Sequence, residues 1–164
     1  MFHVVLVEPE IPQNAGNIAR TCAATGCVLH LVKPLGFEIS DKYLKRAGLD
    51  YWHLVDVRVH ESFEEVEKAL PSAHFYFFTT KAEHTYTEVR YRDGDALVFG
   101  RETRGLPEEL LVRHREGCVR IPMIHESRSL NLSNAVAIAL YEGLRQTDFQ
   151  GLLKEGALHR LKWE

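Results

Sequence analysis

The sequence predicts an α/β fold, a mostly parallel sheet of about six strands with helices packed on both faces. Short apolar runs rich in Val, Leu and Phe recur along the chain, helix-like stretches separate them, and several runs lack the polar alternation of a sheet with one wet face. The strands fall at 2–7, 28–32, 54–59, 75–79, 96–99 and 118–121. Pro12 opens a helical stretch that runs to Thr25, with Gly26 as its stop. Ser62-Phe63-Glu64-Glu65 has the form of a capping box ahead of residues 66–70. Pro107 starts a short helix. A long one covers 131–147, because Leu132, Val136, Leu140 and Leu144 recur every four residues with alanines between them. Residues 148–164 keep Leu153, Ala157 and Leu161 at that spacing, but Gly151 and Gly156 weaken the pattern. A helix in this tail needs a partner surface to order it.

The chain has 164 residues, 45% apolar and 26% charged, which fits one domain spanning 1–164 with 148–164 as its tail. A domain of this size buries about two-thirds of its unfolded surface, so it needs neither disulfides nor metal to hold a core. Cys22, Cys27 and Cys118 are an odd set without a C-x-x-C, the usage of small buried thiols in a reducing cytoplasm. The nine histidines show no metal-ligand spacing and read as surface or packing residues, so no metal is expected. Apolar runs such as 75–78 fall far short of the roughly 18 residues of a membrane span. The first residues lack the basic flank and cleavage site of a secretory signal. Twenty basic against twenty-three acidic residues give a formal charge of −3, which argues against broad polyanion binding. Any nucleic-acid contact is therefore local.

Three loops carry candidate chemistry. In the first, residues 8–21, Asn14, Asn17 and Arg20 recur every three residues on one side of the predicted helix, with Ala15, Ala19 and Ala23 as a small-residue stripe on another. Asn14 reads either as a helix cap or as an amide aimed at a ligand. Arg20 reads either as a solvated or paired residue or as a guanidinium fork for phosphate. In the second, residues 98–107, Gly100 and Gly105 have Walker-like spacing, yet Leu106-Pro107 stand where Lys-Ser/Thr is required, so triphosphate hydrolysis is not supported. The glycines either supply backbone freedom for a turn or let a flat nucleoside approach closely. Glu102 between them is placed to hold an arginine or a ribose hydroxyl. In the third, residues 121–134, Ser129, Asn131, Ser133 and Asn134 crowd the start of the longest helix. Ser129 or Asn131 serves as N-cap, and the surplus of polar groups beside free helix N–H groups suits an anionic ligand. Residues 42–52 mix bases with aromatic rings, as either a solvated helix face or a phosphate-gripping, base-stacking surface.

Taken in order, these loops resemble the motifs of the SPOUT class of knotted, S-adenosylmethionine-dependent RNA methyltransferases. The likeness is carried by Glu8-Pro9-Glu10-Ile11-Pro12 with Asn14 and Gly16-Asn17, by Arg46-Ala47-Gly48-Leu49-Asp50-Tyr51, by Phe99-Gly100 and Glu102-Thr103-Arg104-Gly105-Leu106-Pro107, and by residues 127–136. It covers roughly residues 4–145 and is nearest to the bacterial tRNA wobble-position 2'-O-methyltransferases. The resemblance implies a C-terminal trefoil knot, a cytoplasmic homodimer and methyl transfer from S-adenosylmethionine, leaving S-adenosylhomocysteine, to the ribose of a wobble cytidine or uridine in a tRNA anticodon stem-loop. No metal and no membrane are involved. Other readings are a methyltransferase for another tRNA or ribosomal RNA site, or a non-catalytic RNA-binding or assembly factor.

The resemblance also implies site roles. Phe78, Thr79, Gly100, Gly105, Ile121, Met123, Ser129 and Leu130 contact the cofactor, with Ile121 and Leu130 sandwiching the adenine. Asn14, Arg20, Glu102, Ser129 and Asn131 form the catalytic set. Arg20, Lys45, Arg46, Arg128 and Tyr141 contact RNA, with Tyr141 as an alternative interface residue. The first and last helices pack across a two-fold axis, consistent with the alanine stripe, and Arg20 and Asn14 face the cofactor of the other subunit. Related enzymes are usually given an arginine at the Arg20 position as proton acceptor. A guanidinium with a pKa above ~12 is a poor base, so a phosphate clamp that eases alkoxide formation is the better role, with a phosphate oxygen or a polar group near Ser129 and Asn131 taking the proton.

Overall fold

The computed structural model describes residues 1–40, 52–125 and 128–164. Strands β1 (His3–Val7), β2 (Val28–Val32), β3 (Val57–His60), β4 (Phe75–Phe78), β5 (Ala96–Phe99) and β6 (Cys118–Val119) form one parallel sheet in the order β3-β2-β1-β5-β4-β6. The helices are α1 (Pro12–Thr25), α2 (Phe63–Ala69), α3 (Glu108–Arg113) and α4 (Leu132–Gln146).

Alternate strand residues feed two cores. Val4, Leu6, Leu29, Leu31, Leu97 and Phe99 pack with Ile18, Ala19 and Cys22 of α1 and with Val136, Ala139, Leu140 and Leu144 of α4. Val5, Val7, Val32, Phe77 and Val98 pack on the other face with Phe63 and Val66 of α2 and Leu110 and Leu111 of α3. Full burial of each Val, Leu, Ile or Phe among them contributes about 1.5–3 kcal/mol, and burial on both faces is why the strands lack polar alternation. All three cysteines are free and buried.

The sheet changes direction of winding at β1. From there the chain steps outward to β2 and β3, while β5 lies against β1 on its other side. In such sheets the crevice beyond the carboxyl ends of the two strands at the reversal is where ligands bind. The loops that leave β1 and β5 meet at that crevice.

Several boundaries differ from the sequence expectation. The third strand starts only at Val57, because Trp52–Leu54 form a 3-10 turn ahead of this edge strand. β6 ends at Val119: Arg120 turns to pair with the segment 84–86, donating to the His84 carbonyl and accepting from Tyr86 N–H. Ser62 is the N-cap of α2 but makes no side-chain capping bond, and the Glu65 carboxylate accepts from the N–H of Glu61 at 2.8 Å. Gly26 closes α1 with φ of 71°, as expected.

The tail is the main correction. Residues 148–164 form turns, bends and irregular chain, not a helix. Asp148 and Phe149 both adopt left-handed backbone (φ 57° and 52°), which ends the helical path directly after α4. Phe149 and Leu152 still pack on the core, whereas Leu153, Leu161 and Trp163 are exposed. Two residues of the small-residue stripe of α1, Ala15 and Ala19, are buried in the chain's own core and so are unavailable to a second subunit, while Ala23 is half-buried. Among the described residues, no helix is long and apolar enough to cross a membrane.

Candidate active site

The turn after β1 places Glu8 in left-handed backbone, φ 53°, with its N–H bonded to the Val32 carbonyl at 2.9 Å. That sharp turn sends residues 8–11 across the top of β5. Beyond β5, Arg101 and Gly105 exchange backbone hydrogen bonds (Arg101 N–H to Gly105 O 3.2 Å, Gly105 N–H to Arg101 O 2.9 Å), closing a tight loop with Glu102, Thr103 and Arg104 at its tip. Gly105 holds φ of 67°, which a side chain would strain. Gly100 is required by contact rather than by torsion, since a Cβ there would run into the backbone of Gly105 and Leu106.

Three carboxylates bind this loop to the first. Glu8 takes the Arg101 guanidinium through Nη2 at 3.0 Å and Nε at 3.2 Å. Glu10 accepts from Thr103 through Oγ1 at 2.7 Å and N–H at 3.2 Å, and these bonds, side chain first, hold its carboxyl below the usual range. Glu102 reaches the other way, accepting the backbone N–H groups of Glu10 (2.9 Å) and Ile11 (2.5 Å) and the Asn14 amide (3.4 Å).

Asn14 then links to the third loop. Its Oδ1 accepts from Asn131 Nδ2 at 3.1 Å, while Asn131 Oδ1 caps α4 by accepting from Ser133 N–H, Ser133 Oγ and Asn134 N–H. Glu102, Asn14 and Asn131 thus form one relay across the three segments.

The loops enclose a cavity of about 590 Å³. All eight expected cofactor residues line it: Phe78, Thr79, Gly100, Gly105, Ile121, Met123, Ser129 and Leu130. So do Asn14, Glu102, Asn131 and Arg128. The rings of Phe78 and Phe99 stack beneath, centroids 4.8 Å apart. Arg20 lies on the exposed side of α1, outside this lining. Tyr141 lines a separate groove with Ala24, Phe149, Leu152 and Leu153. Lys45, Arg46 and the rest of 42–51, and Ser127, lie outside the described residues.

Residues 1–141 match the model of the SpoU rRNA Methylase family. The chain belongs to that family. Its tRNA (cytidine(34)-2'-O)-methyltransferase relative from Methylovorus glucosotrophus (strain SIP3-4) is 52% identical over 92% of this chain and 99% of the relative. A structure solved for insights into the 2-OH methylation of C/U34 on tRNA is 54% identical, with TM-score 0.83, covering 90% of this chain and 97% of that one. An AdoMet-bound rRNA methyltransferase from Sinorhizobium meliloti is 26% identical, with TM-score 0.74, over 88% of this chain and 56% of that one. Family membership accounts for the parallel sheet and its order.

Sequence reasoning missed Thr80 and Lys81 in the lining, as well as the reciprocal Glu8, Glu10 and Glu102 bonding. The alternating carboxylates at 8 and 10, matched to Arg101 and Thr103, were the available signal.

It also missed a ladder of imidazoles. His3 Nδ1 meets His30 Nε2 at 3.0 Å, and His30 Nδ1 meets His60 Nε2 at 3.0 Å, stepping across β1, β2 and β3. His30 is 0% exposed. Burial first, then the neighbouring His3, His60 and Arg58, push its pKa down to about 3. Burial likewise lowers His3 and His60.

Proposed function

We propose that this protein methylates the ribose 2'-hydroxyl of the wobble nucleotide, cytidine or uridine 34, in tRNA, using S-adenosylmethionine held in the three-loop cavity. The observation that carries the reading is the convergence of residues 8–14, 100–105 and 128–132 on one cavity whose lining suits a nucleoside. Apolar Ile121, Leu130 and Phe78 offer faces to a purine. Gly100 and Gly105 leave main chain open to its edges, and Ser129 supplies a hydroxyl. S-adenosylmethionine supplies the methyl group as an electrophilic sulfonium when bound.

The protein's residues then position and polarise the acceptor. The ribose hydroxyl donates to Ser129 Oγ, and the proton it gives up on methylation passes to a substrate phosphate oxygen. Asn131 and Asn14 act as positioning residues, because the Oδ1 of Asn131 is saturated by the cap of α4 and its amide donates to Asn14. Glu102 is likewise a positioning residue, its oxygens committed to Glu10, Ile11 and Asn14. Arg128 holds a backbone phosphate at the rim.

Arg20 lies outside its own chain's cavity, which supports an active dimer in which this guanidinium serves the partner's site. The exposed Ile138 and Tyr141 of α4, beside Ala24 of α1, supply an apolar face for that contact. The C-terminal third is read as threaded through the knot of its family, and the protein as cytoplasmic.

Incubation with bulk tRNA and labelled S-adenosylmethionine, followed by mass-spectrometric mapping, tests the proposal. Methyl on the ribose of nucleotide 34 is expected. Label at another tRNA site or in ribosomal RNA alone overturns the site assignment, and no transfer from a protein that binds RNA overturns the activity.

A further inference from the structure

At the tip of the Arg101–Gly105 loop, every side chain but one is pinned to the loop after β1. Arg101 is held by Glu8, Glu102 by the backbone of Glu10 and Ile11, and Thr103 by Glu10. Arg104 is the remaining one. Its side chain is exposed and lines the cavity, and among the described residues it has no ion pair or side-chain hydrogen bond. Its charge acts weakly on Glu10, whose carboxylate is already taken by Thr103.

The cations of the lining divide in two. Lys81 is paired with Glu108 at 3.0 Å and Arg101 with Glu8 at 3.0 Å. Arg104 and Arg128 belong to different loops, and neither is paired among the described residues.

We infer that Arg104 is a substrate-binding residue that clamps an RNA backbone phosphate at the cavity rim, opposite the contribution of Arg128. The inference rests on the methyltransferase reading above and adds a contact to it. A guanidinium presents a planar fork that fits phosphate oxygens in pairs. The surrounding bonds fix the Arg104 backbone before substrate arrives, so little loop entropy is lost when the fork closes on its anion. The carboxylate of the methyl donor is the other oxyanion available at this site. Its ammonium travels with it, which makes that zwitterionic end a poorer match for a guanidinium than a singly charged phosphodiester.

The test compares wild type, Arg104→Ala and Arg104→Lys. The readouts are tRNA affinity across a salt series, S-adenosylmethionine affinity by calorimetry, thermal midpoint, and methylation. For R104A the expected result is about tenfold weaker tRNA binding near physiological salt, with the slope of log K against log salt reduced in size by about one. Cofactor affinity stays within twofold and the thermal midpoint is unchanged. R104K restores the salt slope but only part of the methylation rate, since a point charge lacks the fork. Unchanged tRNA affinity and slope in R104A overturn the inference, as does a loss confined to S-adenosylmethionine affinity. If wild type methylates a different nucleotide while R104A still weakens tRNA binding and lowers the slope, the clamp stands and the wobble assignment fails. If wild type methylates nucleotide 34 and R104A binds tRNA as wild type does, only the clamp fails.

Discussion

Around the cavity, carboxylates take backbone N–H groups, hydroxyls and a guanidinium from neighbouring loops; across β1, β2 and β3, three imidazoles bind one another with no counter-ion between them. The cavity bonds join exposed or half-exposed segments that have little apolar packing of their own. Charge-assisted bonds suit such places, because they keep strength beside water and fix loop geometry. The imidazole ladder lies under α2 and the edge of the sheet, where His30 is fully buried and a charge would be costly. The two regions therefore respond differently to acid. Glu10 stays ionised below the usual carboxylate range, whereas burial opposes a charge on the central ring of the ladder, so acid favours the unfolded chain.

Breaking the cavity side should have the largest effect. Glu102→Ala leaves the N–H groups of Glu10 and Ile11 and the Asn14 amide without their acceptor. We expect kcat/KM for methyl transfer to fall about 100-fold, the scale set by an ångström of misplacement, and stability to fall by about 1–3 kcal/mol. Steady-state kinetics and denaturant unfolding measure the two. A variant with unchanged kinetics would show that the relay does not position the site.

The ladder gives the next effect, and its sign follows from linkage. The pKa of His30 is lowered in the folded state, so the unfolded chain binds the extra proton first. The stability associated with the neutral ring is fully present above about pH 6.5 and is lost as pH falls from there toward about 3. The loss reaches up to about 1.4 kcal/mol per pH unit for one proton. Unfolding curves at pH 7, 6 and 5 should show it, and His30→Leu should flatten the slope by about that amount. An identical slope in the variant would remove the ladder from the account.

A smaller change joins the regions through α4. Asn131→Ala removes the N-cap and the bond to Asn14, for an expected loss of about 1 kcal/mol in stability and a smaller drop in kcat/KM than Glu102→Ala causes. The smallest effect belongs to the exposed pair Lys33–Glu61, where Lys33→Ala should change unfolding free energy by less than about 0.5 kcal/mol, within the error of a denaturant titration.

Much of this architecture was legible because its signals are local. Five of the six strands start within one residue of the apolar runs that predict them, and α1 and α4 follow Pro12, Gly26, Asn131 and the four-residue spacing of Leu132 to Leu144. The tail misled because Leu153, Ala157 and Leu161 keep helical spacing, while the backbone reverses at Asp148 and Phe149, where no glycine or proline marks the turn. The eight lining residues taken from the family resemblance all meet at one cavity, but their meeting depends on β5 lying beside β1, a pairing between residues 3–6 and 96–99 that no local pattern encodes. The histidine ladder was illegible for the same reason. His3, His30 and His60 become neighbours only when β1, β2 and β3 are adjacent and each step is offset by two residues.

The account turns on three distant segments acting as one binding surface. Hydrogen–deuterium exchange with and without S-adenosylmethionine tests this most directly. Protection should appear together in residues 8–14, 100–105 and 128–134, with β2 and β3 around the histidine ladder unchanged. Protection of one segment alone, or of the ladder strands in place of the loops, would contradict it.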